Sequence, residues 1–213
     1  FENMTDFVFP ANLSNISTSK GVLSGCKKLT KITFPIAYCD ISHPESFLAN
    51  STFVNGLELP YTLNFTPMVL VGKQTDIEEI KQNEILKGSH VVGNLTIKAA
   101  TTNKCVVYVN KETTSLIIYP ATVQGRFYLM GKGIDGDLSG LQTIQIGRST
   151  NINDTDGFAS NTSASINLSL DFQSGNCTTK IPKNAFNGYS GNMINVVIYG
   201  NVTDSNGITL ENG

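Results

Sequence analysis

A glycine cluster at Gly131, Gly133 and Gly136 has the spacing of the dinucleotide-binding fingerprint, and it follows an apolar, strand-like segment. In that fingerprint the third glycine begins a helix whose N-terminus binds the pyrophosphate. Here only residues 137–140 separate the third glycine from the next predicted strand, which begins at Leu141. A helix of useful length does not fit in that interval. The cluster is therefore interpreted as a loop, and no cofactor is predicted.

Two acidic residues, Asp154 and Asp156, lie among oxygen-bearing neighbours and raise the question of a calcium site. If Gly157 is the invariant glycine of an EF-hand calcium loop, the loop begins at position 152 and ends at position 163. The first of these positions must be acidic and the last must be glutamate. Those positions hold Ile152 and Ser163. The segment is interpreted as a turn rich in aspartate and asparagine, and no metal site is predicted.

The residues for acid–base or nucleophilic catalysis do not form a recognisable set. The sequence has two histidines, His43 and His90, and no Gly-x-Ser-x-Gly nucleophile motif. Asp135 and Asp137 could form the carboxylate pair of a glycosidase, but no neighbouring residue marks them for that role. His90 stands where another copy of the repeat described below has Cys26, which predicts partial burial. The chain is predicted not to be an enzyme.

Composition favours a β-rich, extracytoplasmic protein. Charged residues make up 15% of the chain and its net charge is −2, so neither a basic nucleic-acid-binding surface nor an acidic tail is predicted. No apolar run of membrane-spanning length occurs. The cysteines Cys26, Cys39, Cys105 and Cys177 allow three disulfide pairings, and burial as small apolar residues is the favoured alternative.

A short apolar pattern recurs along the chain: one apolar residue, two spacers, then two apolar residues separated by one. Examples begin at Leu29, Val54 and Val92. The first strand positions of eight copies are Phe7, Ile32, Leu57, Leu95, Leu116, Ile144, Leu168 and Val196. Their successive spacings are 25, 25, 38, 21, 28, 24 and 28 residues, which cluster near the range of about 20–29 typical of leucine-rich repeats.

The repeat predicts a β-rich solenoid occupying residues 1–213 as a single domain. Alternation within each copy turns every second side chain inward, so stacked copies should form a parallel sheet whose inner row contains the eight positions given above. The long interval predicts an insertion near 61–90, including one short helix that begins at Thr75 or Asp76 and ends near Gly88. Ser205-Asn206-Gly207 predicts a hairpin that caps the coil over 196–213.

The segments between strands have a pattern of their own. Leu23 precedes Gly25-Cys26, Leu86 precedes Gly88, and Phe47 occupies a comparable place. This predicts one buried apolar residue per turn, followed by a small residue where the chain bends toward the strand.

Residues 21–35 and 181–200 resemble the repeat of the BspA-like leucine-rich repeat proteins, which runs Ala-Phe-x-Gly-Cys-x-x-Leu-x-x-Ile-x-Ile-Pro. The stretches that carry the resemblance are "GVLSGCKKLTKITFP" and "IPKNAFNGYSGNMINVVIYG". Several copies between them lack the Phe, the Cys or the final Pro. The resemblance implies a secreted or cell-surface protein that adheres to host matrix proteins or to other cells.

The outward face of the predicted sheet is the candidate partner-binding surface, because solenoids usually bind along such a strip. The predicted contact residues are polar or carry isolated charges: Lys31, Thr33, Glu58, Asn94, Thr96, Ser115, Thr143, Gln145, Asn167, Ser169 and Asn195. A protein or glycan ligand is expected, bound by a monomer outside the cell. The alternative is a structural spacer or assembly module of a larger surface protein.

Overall fold

A computed structural model describes residues 1–67, 84–119, 126–130, 132–133, 136–137, 140–147, 150–152, 166–171 and 193–199. Within these ranges the chain forms twenty strands and no helix. The strands are β1 (Asp6–Val8), β2 (Asn15–Ile16), β3 (Lys31–Thr33), β4 (Cys39–Ile41), β5 (Thr52–Phe53), β6 (Leu57–Leu59), β7 (Leu63–Phe65), β8 (Glu84–Ile85), β9 (His90–Val91), β10 (Gly93–Ile97), β11 (Ala100–Thr101), β12 (Lys104–Tyr108), β13 (Thr113–Ile118), β14 (Arg126–Met130), β15 (Lys132–Gly133), β16 (Gly136–Asp137), β17 (Thr143–Gly147), β18 (Thr150–Ile152), β19 (Ile166–Asp171) and β20 (Met193–Tyr199).

The largest sheet contains six strands in the order β20-β19-β17-β13-β10-β6, and every pair in it is parallel. Its register places in one row Leu57, Leu95, Leu116, Ile144, Leu168 and Val196. The predicted parallel register is therefore confirmed for six of the eight copies. Leu95 and Leu116 are fully buried, as expected for residues on the core side of a sheet.

The first two copies do not join this sheet, which corrects the prediction of one continuous row. Phe7 pairs with Ile32, but β1 and β3 form a separate two-stranded sheet. Both side chains are only partly buried. The row is interrupted between β3 and β6.

Two further parallel sheets contain the segments that follow the first strand of each copy. One has the order β11-β7-β4-β2, and the other has the order β18-β14-β12-β8. Their inward residues meet those of the first sheet in one apolar core; Ile41, Phe65 and Val107 are fully buried there. β5 and β9 form a short parallel pair that precedes β6 and β10.

The chain enters these strands through the same turn in three copies. A leucine with positive φ is followed two residues later by a glycine or asparagine with positive φ: Leu23 and Gly25, Leu48 and Asn50, Leu86 and Gly88. The predicted buried residue and small residue are confirmed, with Leu48 and not Phe47 as the counterpart of Leu23. Each leucine side chain is buried, and that burial offsets the cost of the left-handed backbone.

A column of buried hydroxyls joins these turns. The Ser51 hydroxyl donates a hydrogen bond to the Leu23 carbonyl at 2.6 Å and accepts one from the Cys26 N–H at 3.2 Å. One turn further on, the Ser89 hydroxyl donates to the Leu48 carbonyl at 2.8 Å and accepts from the Ser51 N–H at 3.2 Å. The side chains thus satisfy backbone groups that the turn would otherwise bury without partners.

The residue equivalent to Cys26 is therefore Ser89 and not His90, so the predicted partial burial of His90 is wrong. His90 is exposed, because it begins β9 one residue after the buried serine.

The predicted helix and cap are described only in part. Glu84 and Ile85 form strand β8, so the end of the predicted helix is wrong; residues 68–83 lie outside the described residues. The strand is favoured because Glu84 is held by its neighbours: the Tyr108 hydroxyl donates to its carboxylate at 2.6 Å, and the Lys87 ammonium lies 2.9 Å away. The predicted hairpin over 200–213 also lies outside the described residues.

Two glycines of the cluster, Gly133 and Gly136, lie in short strands, and Gly131 lies outside the described residues. Lys132–Gly133 and Gly136–Asp137 pair in antiparallel fashion. Gly136 is thus in a strand where the dinucleotide fingerprint requires the start of a helix.

Candidate binding site

The residues that alternate with the row of Leu57 and Leu95 in the six-stranded sheet form two registered rows, called here the binding face. The first row contains Asn94, Ser115, Thr143, Asn167 and Asn195. The second row contains Glu58, Thr96, Ile117, Gln145, Ser169 and Val197. Nine of the eleven residues predicted from sequence therefore lie side by side. The remaining two, Lys31 and Thr33, lie on β3, across the interruption in the sheet.

The binding face is polar and nearly neutral. The described side chains of Asn94, Glu58 and Thr143 are exposed, and those of Thr96 and Ser115 are half-buried. Amide and hydroxyl groups can both donate and accept hydrogen bonds, so the face can match either polarity in a ligand. It lacks the concentration of cations that binding to a phosphate backbone requires.

Glu58 does not act as an isolated charge. Its carboxylate accepts a hydrogen bond from the Lys98 ammonium at 2.6 Å, and both side chains are about half exposed. Because Lys98 follows the last inward residue of β10, the pair links neighbouring copies across the end of the strand. The sequence analysis did not include Lys98, which lies one residue beyond the end of β10.

Two successive copies differ by one residue at the place where the sheet is interrupted. Leu29 pairs with Phe53 in parallel orientation. In one copy, two residues separate Leu29 from the next inward residue, Ile32. In the other copy, three residues separate Phe53 from the next inward residue, Leu57. Beyond this bridge β3 and β6 do not pair, whereas one-residue shifts between β10 and β13 and between β19 and β20 are accommodated within paired strands. The extra residue is accommodated at Gly56, whose φ is +80°.

The residues with which the apolar pattern begins in two copies are not buried. Val54 and Val92 are 39% and 41% exposed. Phe53 and Val91 are buried in their place, and they pair with each other.

The separation leaves a cleft between β3 and β6 with a volume of about 360 Å³. A volume of this size falls within the range of small ligand sites, about 300–1,000 Å³. The cleft is lined by apolar, amide and hydroxyl groups with one lysine and one glutamate: Leu29, Thr30, Lys31, Ile32, Phe34, Phe53, Asn55, Gly56, Leu57, Glu58, Asn94 and Thr96. Four of the residues predicted from sequence (Lys31, Glu58, Asn94 and Thr96) meet here.

The two histidines lie outside the cleft lining. The His43 imidazole is 2.9 Å from the Glu45 carboxylate, and the His90 imidazole is 3.4 Å from that of Glu112. The His43 side chain is 29% exposed and the His90 side chain is 56% exposed, and each imidazole contacts one carboxylate.

The described cysteines are core residues. Cys26, Cys39 and Cys105 are fully buried and not disulfide-bonded; Cys177 lies outside the described residues. Burial raises the pKa of all three thiols, which disfavours the reactive thiolate.

Among the described residues, no cluster of three or more histidine, cysteine or acidic side chains is arranged to hold a metal ion. The same part of the chain contains no helix long and apolar enough to cross a membrane. No protein-family model, curated protein or solved structure matches this chain.

Proposed function

We propose that this chain is a non-catalytic binding module of a secreted or cell-surface protein, and that it recognises a protein or glycan through the binding face. The observation that carries the proposal is the register of the two outward rows across six parallel strands. An array of amide and hydroxyl groups, held at the spacing of adjacent strands, can form many weak hydrogen bonds with one ligand at once.

The proposed architecture is one leucine-rich-repeat-like solenoid similar to the BspA-like proteins. Three parallel sheets support it, since each takes its strands from successive copies of the repeat in chain order. The column of Cys26, Ser51 and Ser89 supports it as well, because the same turn recurs at the same place in three copies. Repeats of this kind bury their apolar faces against each other and leave a continuous strip for a partner.

The ligand chemistry follows from the low charge of the binding face. Glu58 is neutralised by Lys98, and Asn94, Ser115 and Thr143 carry no charge. Binding should therefore depend weakly on salt, in contrast to binding of nucleic acid. Host matrix proteins and the glycans of other cells are the ligand classes that suit such a surface.

The test is binding of the full 213-residue chain to an immobilised panel of matrix proteins and glycans. Thr143→Arg introduces a bulky cation at an exposed position in the first row, and we expect it to weaken binding by roughly tenfold or more. Asn15→Arg is the matched control, because Asn15 is an exposed strand residue in a different sheet. Thermal melts of both variants verify that they fold.

A chain that folds cooperatively and binds nothing on the panel would contradict the proposal and favour the spacer or assembly module. Binding that Asn15→Arg abolishes and Thr143→Arg preserves would move the site to another sheet.

A further inference from the structure

The cleft between β3 and β6 has unpaired backbone groups on both walls. β3 pairs with β1 through Lys31 and Thr33: the Lys31 N–H donates to the Thr5 carbonyl at 3.2 Å, and the Thr33 carbonyl accepts from the Phe9 N–H at 2.9 Å. Successive residues of a strand direct their N–H and C=O groups to opposite sides. The N–H and C=O of Ile32 therefore face the cleft.

The opposite wall follows the same rule. β6 pairs with β10 through Leu57 and Leu59, and the Leu59 carbonyl accepts from the Lys98 N–H at 2.8 Å. The N–H and C=O of Glu58 consequently face β3 across the cleft. No described strand pairs with β3 or β6 on these sides.

We propose that the cleft binds an extended peptide segment of a partner protein, which inserts between β3 and β6 as an additional strand. An extended peptide presents N–H and C=O groups alternately to its two sides, so it can pair with Ile32 on one side and Glu58 on the other. Insertion joins the two-stranded sheet to the six-stranded sheet and satisfies both edges, which otherwise remain open for pairing. The inference rests on the proposed function, because it makes the partner of the binding face a protein.

The side chains of the cleft define the peptide further. Ile32 and Phe34 are only partly buried, whereas Leu57 and Leu59 on the opposite strand are buried. An apolar side chain of the peptide that points inward covers the first two and completes the core at the interruption. On the outer side Lys31 is exposed and has no ion pair among the described residues. A peptide that alternates apolar and acidic residues fits both sides.

The first measurement is amide hydrogen exchange by NMR on the uniformly labelled full chain. In the free protein, the Ile32 and Glu58 amides should exchange at least about tenfold faster than those of Lys31 and Thr33, which are in the β1 pairing. Peptides are then selected from a phage-displayed library of random linear sequences. Binding of a selected peptide should slow exchange at Ile32 and Glu58 by at least about tenfold.

Ile32→Pro tests the backbone contact, since proline removes the cleft-facing N–H without removing a bond to β1. We expect it to weaken peptide binding by roughly tenfold or more. Val8→Pro is the matched control: Val8 is exposed on the free edge of β1, so the same substitution leaves the cleft intact. Should Ile32→Pro fail to fold, methylation of alternate backbone nitrogens in the selected peptide removes the same pairing from the ligand and should abolish binding.

Three results would overturn the inference: no enrichment of peptides, peptide binding without protection of Ile32 and Glu58, or binding lost in Val8→Pro and kept in Ile32→Pro. The last result would place the peptide on the free edge of β1. Failure of the proposed function is a separate outcome, recognised by the effect of Thr143→Arg on the matrix and glycan panel. If a ligand does not bind Thr143→Arg but still binds Ile32→Pro, the binding face remains the proposed site and the peptide cleft is ruled out.

Discussion

Removing the Ser51 hydroxyl should destabilise the fold far more than the loss of one small polar group suggests. Ser51 is fully buried, and its hydroxyl donates to the Leu23 carbonyl at 2.6 Å and accepts from the Cys26 N–H at 3.2 Å. Ser51→Ala leaves both backbone groups without these partners in a buried turn. Each buried polar group that loses its partner costs about 1–3 kcal/mol. With two such groups, we expect the free energy of unfolding to fall by about 2–6 kcal/mol.

Urea-induced unfolding followed by circular dichroism measures this loss. Ser14→Ala serves as the control, because Ser14 is exposed and its hydroxyl makes no recorded hydrogen bond; its effect should stay within about 0.5 kcal/mol. If Ser51→Ala unfolds at the same urea concentration as the wild-type chain, the hydroxyl column does not stabilise the turns. The reasoning would also fail if both serine variants lost the same stability, since burial would then have no influence.

Two further predictions concern backbone geometry and a buried thiol. Gly56→Ala should destabilise by about 1–3 kcal/mol more than Gly25→Ala: both glycines have positive φ, but an added Cβ meets the Asn94 carbonyl oxygen at 2.6 Å at position 56 and has open space at position 25. If urea unfolding shows the same loss of unfolding free energy in both variants, the contact between the added Cβ and the Asn94 carbonyl oxygen is not destabilising. Burial raises the pKa of the Cys105 thiol, so above about pH 8.5 the unfolded chain loses a proton that the folded chain keeps, and stability decreases as pH rises. Between about pH 8 and about pH 10 the wild-type chain should lose up to about 2 kcal/mol more than Cys105→Ala; parallel pH profiles would refute this.

The sequence predicted the register of the large sheet well because that register depends on local alternation. In each copy two apolar residues separated by one must face the same side. A parallel neighbour with the same pattern can bury them only when the pairs align, as Leu95 and Ile97 do with Leu116 and Ile118. Because a shift by one residue would expose the whole set, few alternative registers compete.

The sequence failed where two candidate positions had equal apolar character. Phe53-Val54 and Val91-Val92 each offer two neighbouring apolar residues, and the alternating pattern selected the second of each pair. The structure buries the first and exposes the second. The turn at Leu48 is held by a contact from the next copy, because the Ser89 hydroxyl donates a hydrogen bond to the Leu48 carbonyl. The alternation of apolar residues within one strand carries no information about this contact.

The end of the predicted helix failed for a similar reason. The helix was predicted from an N-cap at Thr75 or Asp76 followed by Ile77 and Ile80 at i, i+3 spacing. Glu84, however, is paired in β8 with β12 and is bonded to Tyr108, which lies more than twenty residues further along the chain. The bond to a neighbouring copy determines the local structure, so a window of sequence around Glu84 does not contain the deciding information.

The two ligand surfaces lie on either side of the interruption of the sheet. β6 and β10 have the same number of residues between their inward positions, from Phe53 to Leu57 and from Val91 to Leu95, and they pair. Leu29 and Ile32 have one residue fewer between them, and β3 does not pair with β6. The binding face then offers side-chain groups at fixed spacing, whereas the cleft offers backbone groups of both polarities on two walls. A ligand of the first surface can be any molecule with enough hydroxyl or amide groups. A ligand that fills the second must itself have the repeating donor and acceptor pattern of an extended polypeptide.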